Sequence, residues 1–134
     1  MAKLSAIEGI GKKYANKLGK AGVGSLKSLL TLGCTKKGRK GLASDTGIGE
    51  KLILEWVNRA DLARINGIGT QYGDLLEASG VDSVPALARR NAKNLLKKMA
   101  EVNAKKKLVR QPPGLGQVNS WISQAGDLPK LVKH

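Results

Sequence analysis

Two stretches of the chain repeat each other 58 positions apart: IEGIGKKYANKLGKAGV at residues 7–23 and INGIGTQYGDLLEASGV at residues 65–81. Both copies contain a Gly-Ile-Gly triplet, then a Tyr, a Leu and a closing Gly-Val pair at the same spacing. The sequences that follow also match, around one Trp in each copy. A repeat of this length indicates two copies of one structural unit. We expect these to cover residues 1–63 and 64–134, packed together without a flexible linker.

Apolar residues recur at helical spacing in both copies. After the first triplet, Tyr14, Leu18 and Ala21 fall on one stripe of a helix, and Gly22 is placed to end it. No stretch alternates with the period of two that a half-buried strand requires. The sequence therefore predicts an all-α fold, a compact bundle of about eight to ten short helices. Candidate caps of further helices are Ser25, Thr35 and either Asn91 or Asn94, and the repeat-matched aromatic pairs Tyr14–Tyr72 and Trp56–Trp121 are expected in the core.

The chain is strongly basic, with 24 Lys and Arg against 10 Asp and Glu and a formal net charge of +14 at pH 7. A small protein with this imbalance attracts polyanions such as nucleic acid. A single basic run is often only a solvated face, but several of them together favour a shared role in binding. The basic clusters are Lys36-Lys37-x-Arg39-Lys40, Arg89-Arg90, Lys97-Lys98 and Lys105-Lys106-Lys107 with Arg110.

The first triplet has the composition of a tight turn that leads into a helix. Gly9 and Gly11 allow the backbone to approach another surface closely, and Ile10 is expected to point into the core. The first amides of the helix after Gly11 have no partner within it and lie at the positive end of its dipole, where a phosphate fits. Lys12 and Lys13 would add charge beside that phosphate. Such a site binds phosphate and not base edges, and we expect Gly11→Val to lose both binding and stability.

The second triplet, Gly67-Ile68-Gly69, is followed by Thr70 and Gln71, which donate hydrogen bonds but bring no charge. We expect the first turn to be the better phosphate site, and the second is either a weaker site or purely structural. Two further triplets, Gly47-Ile48-Gly49 and Gly114-Leu115-Gly116, are expected to cap and start helices; alternatively, each pairs with the turn of its own copy to hold both strands of a duplex. The candidate contact residues are Gly9, Ile10, Gly11, Lys12, Lys13, Lys36, Lys37, Arg39, Lys40, Gly67, Ile68, Gly69 and Thr70.

The two turns, Leu4-x-x-Ile7-x-Gly9-Ile10-Gly11 and Leu62-x-x-Ile65-x-Gly67-Ile68-Gly69, resemble the helix-hairpin-helix motif. The whole chain is similar to a bacterial family of tandem helix-hairpin-helix proteins known only as a domain of unknown function. The resemblance implies a fold more than an activity. The wider superfamily includes backbone-binding modules of DNA ligases, repair nucleases and recombination helpers, and a comparable hairpin in some ribosomal proteins. The stretches that carry the resemblance are Ile7–Ala21, Thr35–Leu62, Ile65–Val81 and Glu101–Arg110.

No residue pattern indicates catalysis, so we expect no enzyme, no cofactor and no small-molecule substrate. One Cys, Cys34, and one His, His134, cannot form a structural zinc site. The sequence has no visible nucleophile–base pair, no close carboxylate set and no Walker-type Gly-Lys-Ser/Thr. With no signal peptide or membrane-spanning run visible and a single Cys, we expect a soluble cytoplasmic protein, without a membrane partner.

Three functions fit these observations. The favoured one is non-catalytic, largely sequence-independent binding of the double-stranded DNA backbone. The second is an RNA-binding or ribosome-associated subunit, and the third is a scaffold or adaptor whose charge meets an acidic partner protein. Competition between duplex DNA, duplex RNA and single strands separates the first two, and complex formation that survives nuclease treatment identifies the third.

Overall fold

The structure, a computed structural model, describes residues 10–128 and 131–132. These residues form eight α-helices and contain no strand, which confirms the predicted all-α fold. They divide into two compact units, 10–61 with 131–132 and 62–128. The helices are α1 (Lys12–Lys20), α2 (Leu26–Gly33), α3 (Lys36–Thr46), α4 (Glu50–Leu62), α5 (Thr70–Ala78), α6 (Val84–Ala88), α7 (Ala92–Lys106) and α8 (Leu115–Asp127).

Polar side chains start several of the helices. Ser25 caps α2 and Thr35 caps α3, each accepting a hydrogen bond from the backbone N–H three residues further on, at 3.2 and 3.0 Å. Asn91, and not Asn94, is the N-cap of α7, and its side chain accepts a hydrogen bond at 3.1 Å. The predicted caps at Ser25 and Thr35 are therefore confirmed, since a side-chain oxygen replaces an acceptor that the first turn of a helix lacks.

Glycines end α1 and α5 in the same way. Gly22 and Gly80 have φ angles of +91° and +93°, in the left-handed region that favours glycine. The N–H of the valine that follows donates to the carbonyl oxygen of Leu18 in the first unit, at 2.9 Å, and of Leu76 in the second, at 2.8 Å. The predicted helix end at Gly22 is confirmed, and its repeat-matched partner behaves alike.

Each unit has its own hydrophobic core, built mainly from Leu, Ile and Val. The aromatic pairs lie at equivalent places in the two cores. Tyr14 packs against Trp56 with ring centroids 5.3 Å apart, and Tyr72 packs against Trp121 at 5.2 Å. Both tryptophans are buried and both tyrosines are half-buried. The expectation that the aromatic residues belong to the core is confirmed.

The two units differ in their second halves. Helix α7 has 15 residues where α3 has 11. Eight residues (107–114) separate α7 from α8, whereas three residues (47–49) separate α3 from α4. The charge run and the two prolines at residues 105–113 thus form the end of α7 and most of this longer connection.

The end of the chain departs from the expected division at residues 63 and 64. The boundary between the units falls between Asp61 and Leu62. Val132, which the sequence assigned to the second repeat, lies in the first core and is 2% exposed. A buried valine belongs to the core that removes it from water, whatever its position along the chain. The second unit therefore ends before this segment.

Candidate functional site

Helix α1 begins without a side-chain cap. Its N-cap is Gly11, and the first helical hydrogen bond runs from the Ala15 N–H to the Gly11 carbonyl oxygen, at 2.9 Å. The N–H groups of Lys12, Lys13 and Tyr14 therefore have no acceptor within the helix. Helices α2, α3, α6 and α7, in contrast, are each capped by a side-chain oxygen. The open amides of α1 lie at the positive end of the helix dipole, which is a place where an anion can bind.

The glycines before α1 and α5 have ordinary backbone conformations. Gly11 has φ −82° and Gly69 has φ −99°, angles that any residue adopts. Within the described ranges, a Cβ on either glycine would meet no atom within 4 Å. The described residues give no steric reason for the loss of stability expected of Gly11→Val, because this Cβ meets none of their atoms. A side chain here would instead stand beside the open amides.

The middle residues of the two turns point inward, as predicted. Ile10 is 3% exposed and Ile68 is 6% exposed, and each belongs to the core of its own unit. Both side chains anchor a turn to the core, so neither is available as a contact residue. Gly9 lies outside the described residues.

The two basic clusters of the first unit lie on neighbouring helices. Helix α1 packs against α3, and neither helix has an acidic residue in its first turn. The five lysines concerned are all exposed, so their ammonium groups are accessible to a ligand. This α1–α3 lysine group consists of Lys12, Lys13, Lys36, Lys37 and Lys40.

Arg39 does not belong to this group, although the sequence placed it there. Its side chain is 4% exposed, and its Nη1 donates a hydrogen bond to the Gly33 carbonyl oxygen at 2.8 Å. That carbonyl is at the end of α2. The last carbonyl oxygens of a helix have no N–H donor within the helix, and they lie at the negative end of its dipole, so they attract cations. Arg39 therefore links α3 to α2 and does not contribute to the candidate contact surface.

The second turn is fixed to α8. The Asn66 N–H donates to the Gln124 Oε1 at 2.9 Å, and the Gln124 Nε2 donates back to the Asn66 carbonyl oxygen at 3.3 Å. Gly67 has φ +99°, and a Cβ on it would lie 2.8 Å from the Trp121 Nε1. The second turn thus has clear structural ties. Thr70 is the first residue of α5, and Gln71 after it is exposed, so no lysine corresponds to Lys12 or Lys13.

The other two triplets cap and start helices, as expected. Gly47 ends α3 with φ +74°, and Ile48 is 4% exposed in the turn before α4. Glu50 then occupies the first turn of α4, where its carboxylate already complements the dipole and would repel a phosphate. Gly114 is the N-cap of α8, and its N–H donates to the Gln117 Oε1 at 2.9 Å.

The described residues include no group of three His, Cys, Asp or Glu side chains that could hold a metal ion. In the same part of the chain, no helix has both the length and the apolar character needed to cross a membrane. The Cys34 thiol is half-buried and donates to the Thr31 carbonyl oxygen at 3.4 Å. The polar groups that the candidate site presents are ammonium groups and backbone amides, both of which bind anions.

Fold and site together define an all-α protein of two repeated four-helix units, with exposed lysines around a helix start that has no side-chain cap. Residues 8–128 match the family model described as Domain of unknown function (DUF4332). Because the match covers most of the chain, the protein belongs to this family. No curated protein and no solved structure matches the chain significantly.

Proposed function

We propose that this protein binds the phosphate backbone of nucleic acid, with double-stranded DNA as its main ligand, and that it does so without catalysis and with little dependence on sequence. The Gly-Ile-Gly turns are then the phosphate-binding turns of helix-hairpin-helix motifs. The preference for DNA rests on the resemblance of these turns to the modules of DNA ligases and repair nucleases. A protein with this role is expected in the cytoplasm, together with the DNA.

The observation that carries the proposal is the start of α1. Three backbone amides have no acceptor in the helix, and Gly11 brings no side chain to cap them. Lys12 and Lys13 lie beside these amides in exposed positions. Amides at a helix start and lysine ammonium groups both favour a phosphate oxygen. Among the described residues, the first turn of α1 has no acidic side chain that would compete for this position.

The exposed lysines of α1 and of the neighbouring helix α3 extend the contact from one phosphate to several. The α1–α3 lysine group supplies five exposed cations on two packed helices, and the net charge of +14 attracts a polyanion over a longer range. Lysine ammonium groups and backbone amides recognise phosphate oxygens and not the edges of bases. The binding is therefore expected to be insensitive to sequence and sensitive to salt.

Charge reversal at the first turn tests the proposal. Lys12→Glu/Lys13→Glu should weaken the binding of a short random-sequence DNA duplex by about tenfold or more, because two charge-assisted contacts become repulsive. The matched control is Lys27→Glu/Lys51→Glu, which exchanges exposed lysines on α2 and α4 and removes the same charge. The control should have a clearly smaller effect. Equal losses in the two variants would contradict a role for this turn.

Competition identifies the ligand class. Duplex DNA should displace the labelled duplex better than duplex RNA or single strands of equal length. If duplex RNA competes better, the protein is an RNA binder. If a complex with a protein partner survives nuclease treatment and neither nucleic acid binds, the backbone-binding proposal is wrong and the positive surface serves protein assembly.

A further inference from the structure

A cleft of about 560 Å³ opens on the second unit, between the start of α5 and the segment that follows α7. The residues that line it include Gln71, Asn103, Lys107 and Arg110, with the apolar residues Ala104, Leu108 and Val109. No acidic residue belongs to the lining, and Lys107 and Arg110 are both exposed to solvent. Two cations that share a cleft without a carboxylate produce a positive potential there, which concentrates anions.

The segment with these two cations is held in place on both sides. Asn103 makes two hydrogen bonds to Val109, donating from Nδ2 to its carbonyl oxygen at 3.1 Å and accepting from its N–H at 3.0 Å. Val109 is 7% exposed and packs in the second core. The Tyr72 hydroxyl donates to the Gln111 carbonyl oxygen at 3.1 Å. The backbone around Arg110 is therefore ordered before a ligand arrives, which lowers the entropic cost of binding.

The same segment has no counterpart in the first unit. The connection of eight residues after α7 stands where the first unit has three, and it brings Lys107 and Arg110 to the start of α5. That is the helix at which Thr70 and Gln71 replace the two lysines of α1. The inserted residues thus supply to the second unit the positive charge that its turn lacks.

We infer that this cleft is a phosphate-binding site, in which the Arg110 guanidinium and the Lys107 ammonium hold the phosphate oxygens and Gln71 lines the opposite wall. Arginine suits a phosphate because its planar group can donate two parallel hydrogen bonds. This part of the inference rests on the proposed function: the phosphate belongs to the nucleic-acid backbone, and the cleft is the place where the second unit contacts it. A free phosphate or pyrophosphate ion has the same chemistry.

Amide chemical shifts of the ¹⁵N-labelled protein test the site in two separate titrations. Addition of the random-sequence DNA duplex should shift the amide signals of Gln71, Lys107 and Arg110. Addition of sodium pyrophosphate to the protein alone should shift the same signals if the cleft also binds the free ion. Because the second titration contains no nucleic acid, its result does not depend on the proposed function.

A pair of variants gives a second readout. Lys107→Asn/Arg110→Gln removes both cations, and Asn tolerates the left-handed conformation that Lys107 adopts, with φ +50°. It should reduce the magnitude of the log–log salt slope of duplex binding by about 0.9 to 1.8, since each lost phosphate contact contributes about 0.9. The matched control, Lys97→Gln/Lys98→Gln, removes two exposed charges from α7 outside the cleft and should leave the slope nearly unchanged.

The outcomes separate the two proposals. One outcome is that the duplex binds without shifting the cleft signals and that the cleft variant has the same salt slope as the unchanged protein. The inference is then wrong, and the proposed function rests on the contacts of the first unit. If the duplex does not bind but pyrophosphate shifts the cleft signals, the site takes a free phosphate and the proposed function is wrong. If neither ligand shifts these signals, the inference is overturned.

Discussion

Gly67 is a residue that the fold requires, because its φ of +99° and its distance to the Trp121 ring both exclude a side chain. Gly38 is required for a different reason: its conformation is helical, but a Cβ would overlap the Leu32 carbonyl oxygen where α3 approaches α2. Gly11 has neither constraint in the described structure. A glycine that packing does not require, located at an uncapped helix start, is consistent with close approach of a ligand to the backbone.

The exchange Gly11→Asp should therefore move stability and binding in opposite directions. A carboxylate at this N-cap accepts from the free amides and complements the dipole, so the free energy of unfolding should rise by about 0.5–1 kcal/mol. The same carboxylate occupies the proposed phosphate position, so duplex affinity should fall. Urea denaturation and fluorescence anisotropy measure the two quantities. The control Gly24→Asp adds the same charge at an exposed glycine that is not an N-cap. If Gly24→Asp lowers duplex affinity as much as Gly11→Asp does, the loss comes from the added charge and not from a carboxylate in the phosphate position.

A pair of alanine substitutions in α3 tests the packing of its N-terminal half. Gly38→Ala should lower the free energy of unfolding by about 2–3 kcal/mol, since the added methyl group meets backbone atoms that cannot rotate away. Gly41→Ala lies in the same helix, in open space, and should raise it by about 0.5–1 kcal/mol through helix propensity. Urea denaturation of both variants checks the prediction. Equal stability of the two would show that α3 does not approach α2 as described.

At the level of the helices, local signals were readable from the sequence and tertiary placement was not. Ser25, Thr35 and Gly22 start and end helices through hydrogen bonds to residues nearby in the chain, so short sequence patterns reveal them. The burial of Arg39 depends on how α3 packs against α2, and the two lysine clusters lie on neighbouring helices because α1 packs against α3. The spacing of residues along a single helix predicts neither of these arrangements.

The connection between α7 and α8 was the least predictable element of the second unit. Its sequence shows a charge run and two prolines, which indicate only a break in the helix. The structure places Arg110 and Lys107 in one cleft because Asn103 of α7 and Tyr72 of α5 hold the connection by hydrogen bonds. The basic run is a candidate site because Asn103 and Tyr72 hold its backbone in place, and no sequence pattern identifies these two residues as its partners.

Asn103→Ala tests this arrangement. The variant leaves the N–H and the carbonyl oxygen of the buried Val109 without their partner, which should lower the free energy of unfolding by about 2–3 kcal/mol. Asn119→Ala, an exposed position on α8, should change stability by about 0.5 kcal/mol or less. Thermal or urea denaturation gives both values. Equal, small effects would mean that the connection is held by other contacts.

For the whole molecule, the internal repeat and the net positive charge are the two features that can be read most directly from the sequence. The repeat predicted two units, and each described unit contains four helices and its own core. The units do not present the same surface. The first has five exposed lysines at α1 and α3, whereas the second has a cleft lined by Lys107 and Arg110. The two copies therefore share a scaffold and differ in the charged groups that it presents.

The most direct test of backbone binding is the salt dependence of duplex affinity, measured by fluorescence anisotropy with a short random-sequence DNA duplex. If the α1–α3 lysine group and the two cleft cations each neutralise one phosphate, they contribute about −6 to the slope of log affinity against log salt, at about −0.9 for each phosphate. We expect a slope of about −4 to −6 and the same affinity for unrelated sequences. Absence of binding at low salt, or a slope near zero, would contradict the account.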